Sequence, residues 1–342
     1  MPKLDLFAAP QQGNPCFRDG GAVRMHLIVP FAAPSSEAGR QALRGLSLPG
    51  LAGLLGRLPP QPAQPVDEWS LSPPHERALV QALGLTEVPD GQVPMAAWLA
   101  LRHGLTDLEH ARGWGLLTPA HWSLGTEQVS LLDPALLKLD ETESRAFLAA
   151  LAELFTSEGF ELHYLEPTAW LCRHEALDGL PSASLDRVVG RNVDRWLEPD
   201  PRARLVRRLQ NEVQMLLHGH ALNDAREARG DLPLNGVWLS GSGVAPLRPW
   251  PADDPMLNTA LRCAALNEDW TGWATAWRAL DALGLAPLQS ALAAGEPVRL
   301  TLCGETASVT CQPVMEGGLR RLTRQISSAW RRPDPLALLE SL

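Results

Sequence analysis

The run Val237-Trp238-Leu239-Ser240-Gly241-Ser242-Gly243 constrains the fold more than any other stretch of the chain. Three apolar residues lead directly into alternating serine and glycine, which reads as a buried strand that ends in a tight turn. Glycines there let backbone N–H groups approach whatever lies at the strand's carboxyl end. The residues before it form one unit with it. Leu205, Leu209, Val213, Leu216 and Leu217 fall near a 3.6 period and give a helix one apolar face. Asp200 and Pro201 supply its start signal, and Gly219 its stop. Asn223 and Arg226 then sit three apart, on one side of a second, short helix. Gly230 and Pro233 break the chain before the strand.

The other segments alternate between the two periods. Residues 25–31, MHLIVPF, read as a buried strand. Residues 35–58 read as helix, restarting at Leu48-Pro49, with Leu51, Leu54, Leu55 and Leu58 as its apolar stripe. Residues 59–74 read as a Pro-rich linker. Helices are expected at 75–83 and 94–103, extended chain at 114–124, and a short strand at 128–132. Asp140 caps a long helix to Glu158, with Glu143 completing a capping-box pattern. Strands at 160–165 and 168–172 make a hairpin through Glu166-Pro167. Residues 182–196 read as irregular or short-helical. Later come helices at 256–265, 269–283 and 288–294, a hairpin of 298–303 with 308–312, and a helix at 316–330. Trp270, Trp273 and Trp277 form a stripe that reads as core in preference to a ligand cage. Residues 1–24 read as a disordered tail, with Met25 the expected biological start.

Alternating strands and helices with added hairpins imply an α/β protein: a mixed, mostly parallel sheet flanked by helices. The expected division is a core of 25–115 plus 230–342, with 116–229 as an inserted α+β subdomain.

A net charge of -9 excludes a polyanion as the default partner, so no nucleic acid is expected. No apolar run reaches membrane-spanning length, and no membrane partner is expected. Five widely spaced cysteines without a CxxC suit reduced thiols in a cytoplasm.

The pattern His220, Asn223, Arg226, Gly230, Asn235, Trp238, Leu239, Gly241, Gly243 closely resembles a segment of the archaeal-type cofactor-independent phosphoglycerate mutases. It resembles more closely still a group of proteobacterial proteins termed RpfE-type regulatory proteins. The resemblance implies an alkaline-phosphatase-like core. It also implies which residues a working mutase would need, and the chain departs from that set. The family carries a metal-binding Asp in a turn after the first strand, where this chain has Val29-Pro30-Phe31-Ala32. The family's nucleophilic Ser segment reads Ser70-Leu71-Ser72-Pro73-Pro74-His75 here. Gly304-Glu305-Thr306 stands where a late metal ligand is due, and no histidine follows His220. Two divalent metals need several Asp and His ligands around one point. The expectation is therefore a non-catalytic relative, with no catalytic residue, no metal and no cofactor. It would act through an unknown protein partner or a small phosphorylated metabolite. An altered phosphoglycerate mutase or phosphatase, or a structural interaction module, is the alternative.

The candidate ligand-binding residues are His220, Asn223, Arg226, Asn235, Trp238, Gly241 and Gly243. Arg226 can grip a phosphate or carboxylate in two-pronged fashion, and Asn can orient a hydroxyl. The same residues can equally tie a helix–loop–strand junction together. His218 and His220, two apart, do not make a metal pair on a helix. His121 and His163 are placed on adjacent strands, and His174 follows a strand. Asp186, Arg187, Arg191, Asn192 and Asp194 form a further polar cluster. Ser240 and Ser242 lack the glycine frame of a nucleophile elbow.

Overall fold

The computed structural model describes residues 25–85, 87–105, 112–125, 128–197, 199–244, 255–313 and 334–342. The tail expected at 1–24 and the helix expected at 316–330 lie outside the described residues.

In chain order the elements are β1 (Met25–Val29), α1 (Glu37–Arg44), α2 (Pro49–Leu55), β2 (Gln64–Pro65), α3 (Pro74–Ala82) and α4 (Met95–Arg102). There follow β3 (Trp114–Ala120), β4 (Trp122–Leu124), β5 (Val129–Leu131), α5 (Glu141–Thr156), β6 (Glu161–Glu166) and β7 (Ala169–Arg173). Then come α6 (Leu185–Val188), α7 (Arg204–Leu217), α8 (Ala221–Ala228), β8 (Gly236–Gly243), β9 (Met256–Leu257) and α9 (Arg262–Leu266). The described chain closes with α10 (Trp270–Ala279), α11 (Ala286–Ala293), β10 (Val298–Cys303), β11 (Ala307–Cys311) and α12 (Pro335–Glu340). No helix among the described residues is long and apolar enough to cross a membrane. The chain divides into two compact units, one of residues 1–68, 74–86 and 250–342, the other of 69–73 and 87–249.

The first unit is built on a mixed sheet in the order β2-β11-β10-β1-β9. β1 runs parallel to β10 and β9, whereas β10–β11 and β11–β2 are antiparallel. The expected predominance of parallel pairing does not hold. The short Gly304–Thr306 turn after β10 can only reverse the chain, and a parallel neighbour needs a much longer crossover. Leu27 and Val29 of β1 join Leu300 and Leu302 of β10 in one core cluster. That core is closed by Leu43, Leu51, Leu54, Leu55, Trp273, Trp277, Leu288 and Leu339 from the helices. α3 adds nothing to this cluster and packs on β1, β10 and β11, so it covers the opposite face.

Two expectations in this unit are corrected. The Pro-rich stretch is not a free linker, because β2 within it pairs with β11 and Pro60 bridges to Cys311. Residues 256–265 are not one helix: Met256 and Leu257 extend the sheet beside β1, and only 262–266 turn helical.

The second unit holds an antiparallel sheet in the order β6-β7-β3-β8. Because β8 pairs with β3, residues 87–115 and 230–249 fall in this unit together with 116–229. α5 and α7 cover one face, where Phe147, Leu151, Leu209, Val213 and Leu217 meet Leu117, Trp170, Val237 and Leu239. α4, buried on nearly all its residues, packs against β3 and β8. α5 begins where expected, with the Asp140 side chain accepting from Glu143 N at 2.8 Å. β4 and β5 form a separate two-stranded ribbon.

Candidate functional site

The helix–loop–strand junction of the second unit gathers most of the candidate residues, and it does so by joining backbone to side chain. α7 ends at Leu217, and Gly219 turns the chain in the left-handed region at φ +70. His220 then caps α8, its Nδ1 accepting from Leu222 N at 3.2 Å. His218 is the C-cap of α7, so the two histidines serve two different helix ends.

Asn223 is buried, and its amide is fully engaged. Nδ2 donates to Leu217 O at 3.0 Å and Leu234 O at 2.8 Å, and Oδ1 accepts from Leu234 N at 2.9 Å. One side chain thus fastens the end of α7 to the residues that enter β8. Asn235 does the same for the ribbon: Oδ1 accepts from Trp122 N at 2.7 Å, and Nδ2 donates to Trp122 O at 3.0 Å.

Arg226 is 0% exposed. Its Nε donates to Leu232 O at 2.7 Å, one terminal nitrogen donates to Leu137 O, and the other pairs with Glu143. Glu143 also receives the exposed Arg229 at 2.8 Å. The carboxylate therefore does not reach back to complete the capping box. It neutralises a buried guanidinium, as a buried charge requires.

The other candidates act through packing. Trp238 donates from Nε1 to Ala183 O at 3.0 Å, and its ring lies 6.1 Å from that of Trp122. Gly241 and Ser242 stand opposite Gly115 alone, because Leu116 pairs with Ser240 and Trp114 with Gly243. That is a β-bulge. Gly241 has φ +61, and a Cβ there would lie 2.9 Å from Met95 Cβ. A Cβ on Gly243 would lie 2.8 Å from Pro94 Cβ. The Ser-Gly run lets β8 lie flat against the start of α4.

The structure thus brings His220, Asn223, Arg226 and Asn235 together as a junction. Trp238, Gly241 and Gly243 lie further along the same strand. A shallow pocket of about 30 Å³ lies beside Trp238, lined by Leu180, Trp196, Arg207 and Gln210 among others. That is room for a water and not for a metabolite.

Sequence reasoning missed the partner of Arg226, because Glu143 lies 83 residues away and was assigned to its own helix. It also missed Asp90, which accepts from Ser70 Oγ, Leu71 N and Ser72 N at 2.8, 2.8 and 3.0 Å. The expected placement of His121 and His163 on adjacent strands is corrected. His121 lies beyond the end of β3 and bonds through Nδ1 to Pro233 O at 2.8 Å. His163 is on β6, and β7 separates β6 from β3. His174 stacks on Phe160 at 4.2 Å and caps a 3-10 turn. In the 186–194 cluster, Arg187 is buried and Asn192 Oδ1 accepts from Asp194 N at 3.0 Å.

The first unit presents the turn after β1, where the resemblance implies a metal-binding carboxylate. Phe31 has φ +56, an outlier for a bulky residue, and its ring lies 5.6 Å from that of His75. Ala32 N donates to Cys303 O at 2.7 Å. Trp273 Nε1 donates to Phe31 O at 2.9 Å, and Trp277 Nε1 to Ala32 O at 3.0 Å. The tryptophan stripe is core, as expected, and the indole N–H groups of Trp273 and Trp277 hold this turn. Among the described residues, no three His, Cys, Asp or Glu side chains converge as a metal set.

No protein-family profile matches the sequence. No curated protein matches it either. Among solved structures, the chain is similar to a cofactor-independent phosphoglycerate mutase from Thermoplasma acidophilum DSM 1728. The identity is 12% and the TM-score 0.32, over 86% of this chain and 91% of that one. It is also similar to the PH0037 protein from Pyrococcus horikoshii, at 12% identity and TM-score 0.45, over 86% and 88% of the two chains.

Proposed function

We propose that this chain is a non-catalytic, regulatory relative of the phosphoglycerate mutases, of the RpfE type, acting in the cytoplasm by binding. The observation that carries this reading is the turn after β1. A metal-dependent mutase needs a carboxylate there. Here the segment Val29–Ala33 is apolar, and the carbonyls of Phe31 and Ala32 accept from the Trp273 and Trp277 indoles. A divalent cation placed against such a turn would find indole N–H donors and hydrocarbon, and no carboxylate to balance its charge.

Of the two occupants that the sequence suggests, we favour a protein partner over a small phosphorylated metabolite. Arg226 is the cation of the motif best suited to a phosphate, and it is engaged by Glu143 and two carbonyls. Binding a small phosphorylated metabolite there would require that buried pair to open, which costs several kcal/mol.

Two measurements test this. The purified full-length chain, incubated with 3-phosphoglycerate and Mn2+, is expected to show no interconversion to 2-phosphoglycerate. Metal-dependent turnover would overturn the non-catalytic reading. Inorganic phosphate and 3-phosphoglycerate at millimolar concentration are expected to shift the melting temperature by less than about 1 °C. A saturable rise that is lost in Arg226→Lys would reinstate the metabolite site.

A further inference from the structure

A chain of side-chain hydrogen bonds crosses three strands of the first unit's sheet. His26 is the one polar residue of β1, and it is buried at 7% exposure. Its Nε2 lies 2.8 Å from Thr301 Oγ1 on β10. Thr301 Oγ1 lies 2.9 Å from Thr310 Oγ1 on β11. All three lie on the face away from the main core cluster, the face that α3 covers.

The neutral imidazole suits this place. Each hydroxyl can donate once and accept, so the chain is satisfied with Nε2 as either acceptor or donor. A protonated ring changes the balance. Both ring nitrogens must then donate, and only Nε2 has a partner among the described residues. At 7% exposure the charge is also largely withdrawn from water, beside a second cation. Arg299 of β10 stands in register with His26. The neighbouring elements offer little compensation. β9 and β11 carry no ionisable residue other than the Cys311 thiol, and α11 carries none. α3 bears His75, Glu76 and Arg77 in its first turn, where His75 packs on Phe31.

We infer that the His26–Thr301–Thr310 chain is an acid-sensitive latch. Protonation of His26 loosens the β1–β10–β11 ladder of the first unit while the antiparallel sheet of the second unit holds. Burial first, and Arg299 second, push the His26 ring down to about 4 from its ordinary 6.5. The sign follows. Between those values the unfolded chain binds a proton that the folded chain refuses, so stability falls as pH drops from about 6.5 toward 4.

The test is hydrogen exchange of the full chain at pH 7 and pH 4.5, corrected for the intrinsic exchange rate and resolved by peptide. Protection of 25–29 and 298–311 is expected to fall about tenfold or more at the lower pH, while 114–120 and 169–173 change little. In His26→Gln, which keeps an amide hydrogen bond and cannot titrate, the differential loss should vanish. Equal loss in wild type and His26→Gln, or equal loss in both sheets, would overturn the inference. If His26→Gln does not fold, the ring titration of His26 in the wild type, read by nuclear magnetic resonance, decides. A midpoint near 4 supports the latch, and one near the ordinary value refutes it.

Discussion

Arg226 shows how one side chain can carry the signature of a binding site and perform the work of a joint. Its guanidinium has five donors, no means of losing its charge, and no exposure. The protein supplies a carboxylate and two carbonyls, drawn from α5, from the turn before it and from the loop after α8. Removing the guanidinium leaves Glu143 with only the exposed Arg229 and strands two carbonyls. Arg226→Ala is therefore expected to destabilise the second unit by about 3–5 kcal/mol in urea unfolding. Arg229 meets the same carboxylate from the surface, where solvent screens the pair, and Arg229→Ala should cost far less than Arg226→Ala in the same unfolding measurement. A ligand-gripping Arg226 would give the reverse signature: small loss of stability, large loss of anion binding. The motif at 220–243 was readable as a unit in the sequence because its parts are close along the chain. Its meaning was not, because Glu143 and Leu137 come from a segment more than eighty residues earlier.

At the scale of elements, legibility followed the range of the interaction that fixes each one. α5 was recoverable from Asp140 at its start and its apolar positions, since a cap and a stripe are local. The β6–β7 hairpin was recoverable from two runs meeting at Glu166-Pro167. β9 was not. Two residues are too few to show a period, and Met256–Leu257 are a strand only because β1 lies beside them. β2 was hidden in a Pro-rich stretch for the same reason. The direction of pairing was the least legible property: β8 reads as a buried strand in a sheet expected to be mostly parallel, yet it runs antiparallel to β3. Hydrophobic runs report burial on both faces and do not report which neighbour supplies the hydrogen bonds. The bulge in β8 gives a test at this scale. Gly241 needs its left-handed backbone and has Met95 Cβ 2.9 Å from where its own Cβ would be. Gly241→Ala should lower stability by about 1–3 kcal/mol and reduce protection in α4 as well as β8. A neutral outcome would mean that the bulge migrates along the strand to avoid the contact.

Over the whole molecule, each unit closes its own core and encloses thiols in it. Cys172 lies under α5 and α7 in the second unit, and Cys303 and Cys311 lie in the sheet of the first. Burial raises all three thiols, Cys311 to about 12, and Cys263 alone among the described cysteines is exposed. A thiol reacts as the thiolate and only when reached, so these residues report opening of the core that encloses each of them. With iodoacetamide at pH 8, Cys263 should be labelled within minutes. Cys172, Cys303 and Cys311 should lag by about a thousandfold or more, set by the free energy of opening. In rising urea, Cys303 and Cys311 should become reactive at one common midpoint, since β10 and β11 share a ladder and a core. Cys172 should follow the midpoint of its own antiparallel sheet, and Arg226→Ala should move that midpoint while leaving the Cys303 and Cys311 midpoint in place. Separate midpoints for Cys303 and Cys311 would show that the mixed sheet does not open as one cooperative element. A shift of all three thiols by Arg226→Ala would show that the two cores unfold as one.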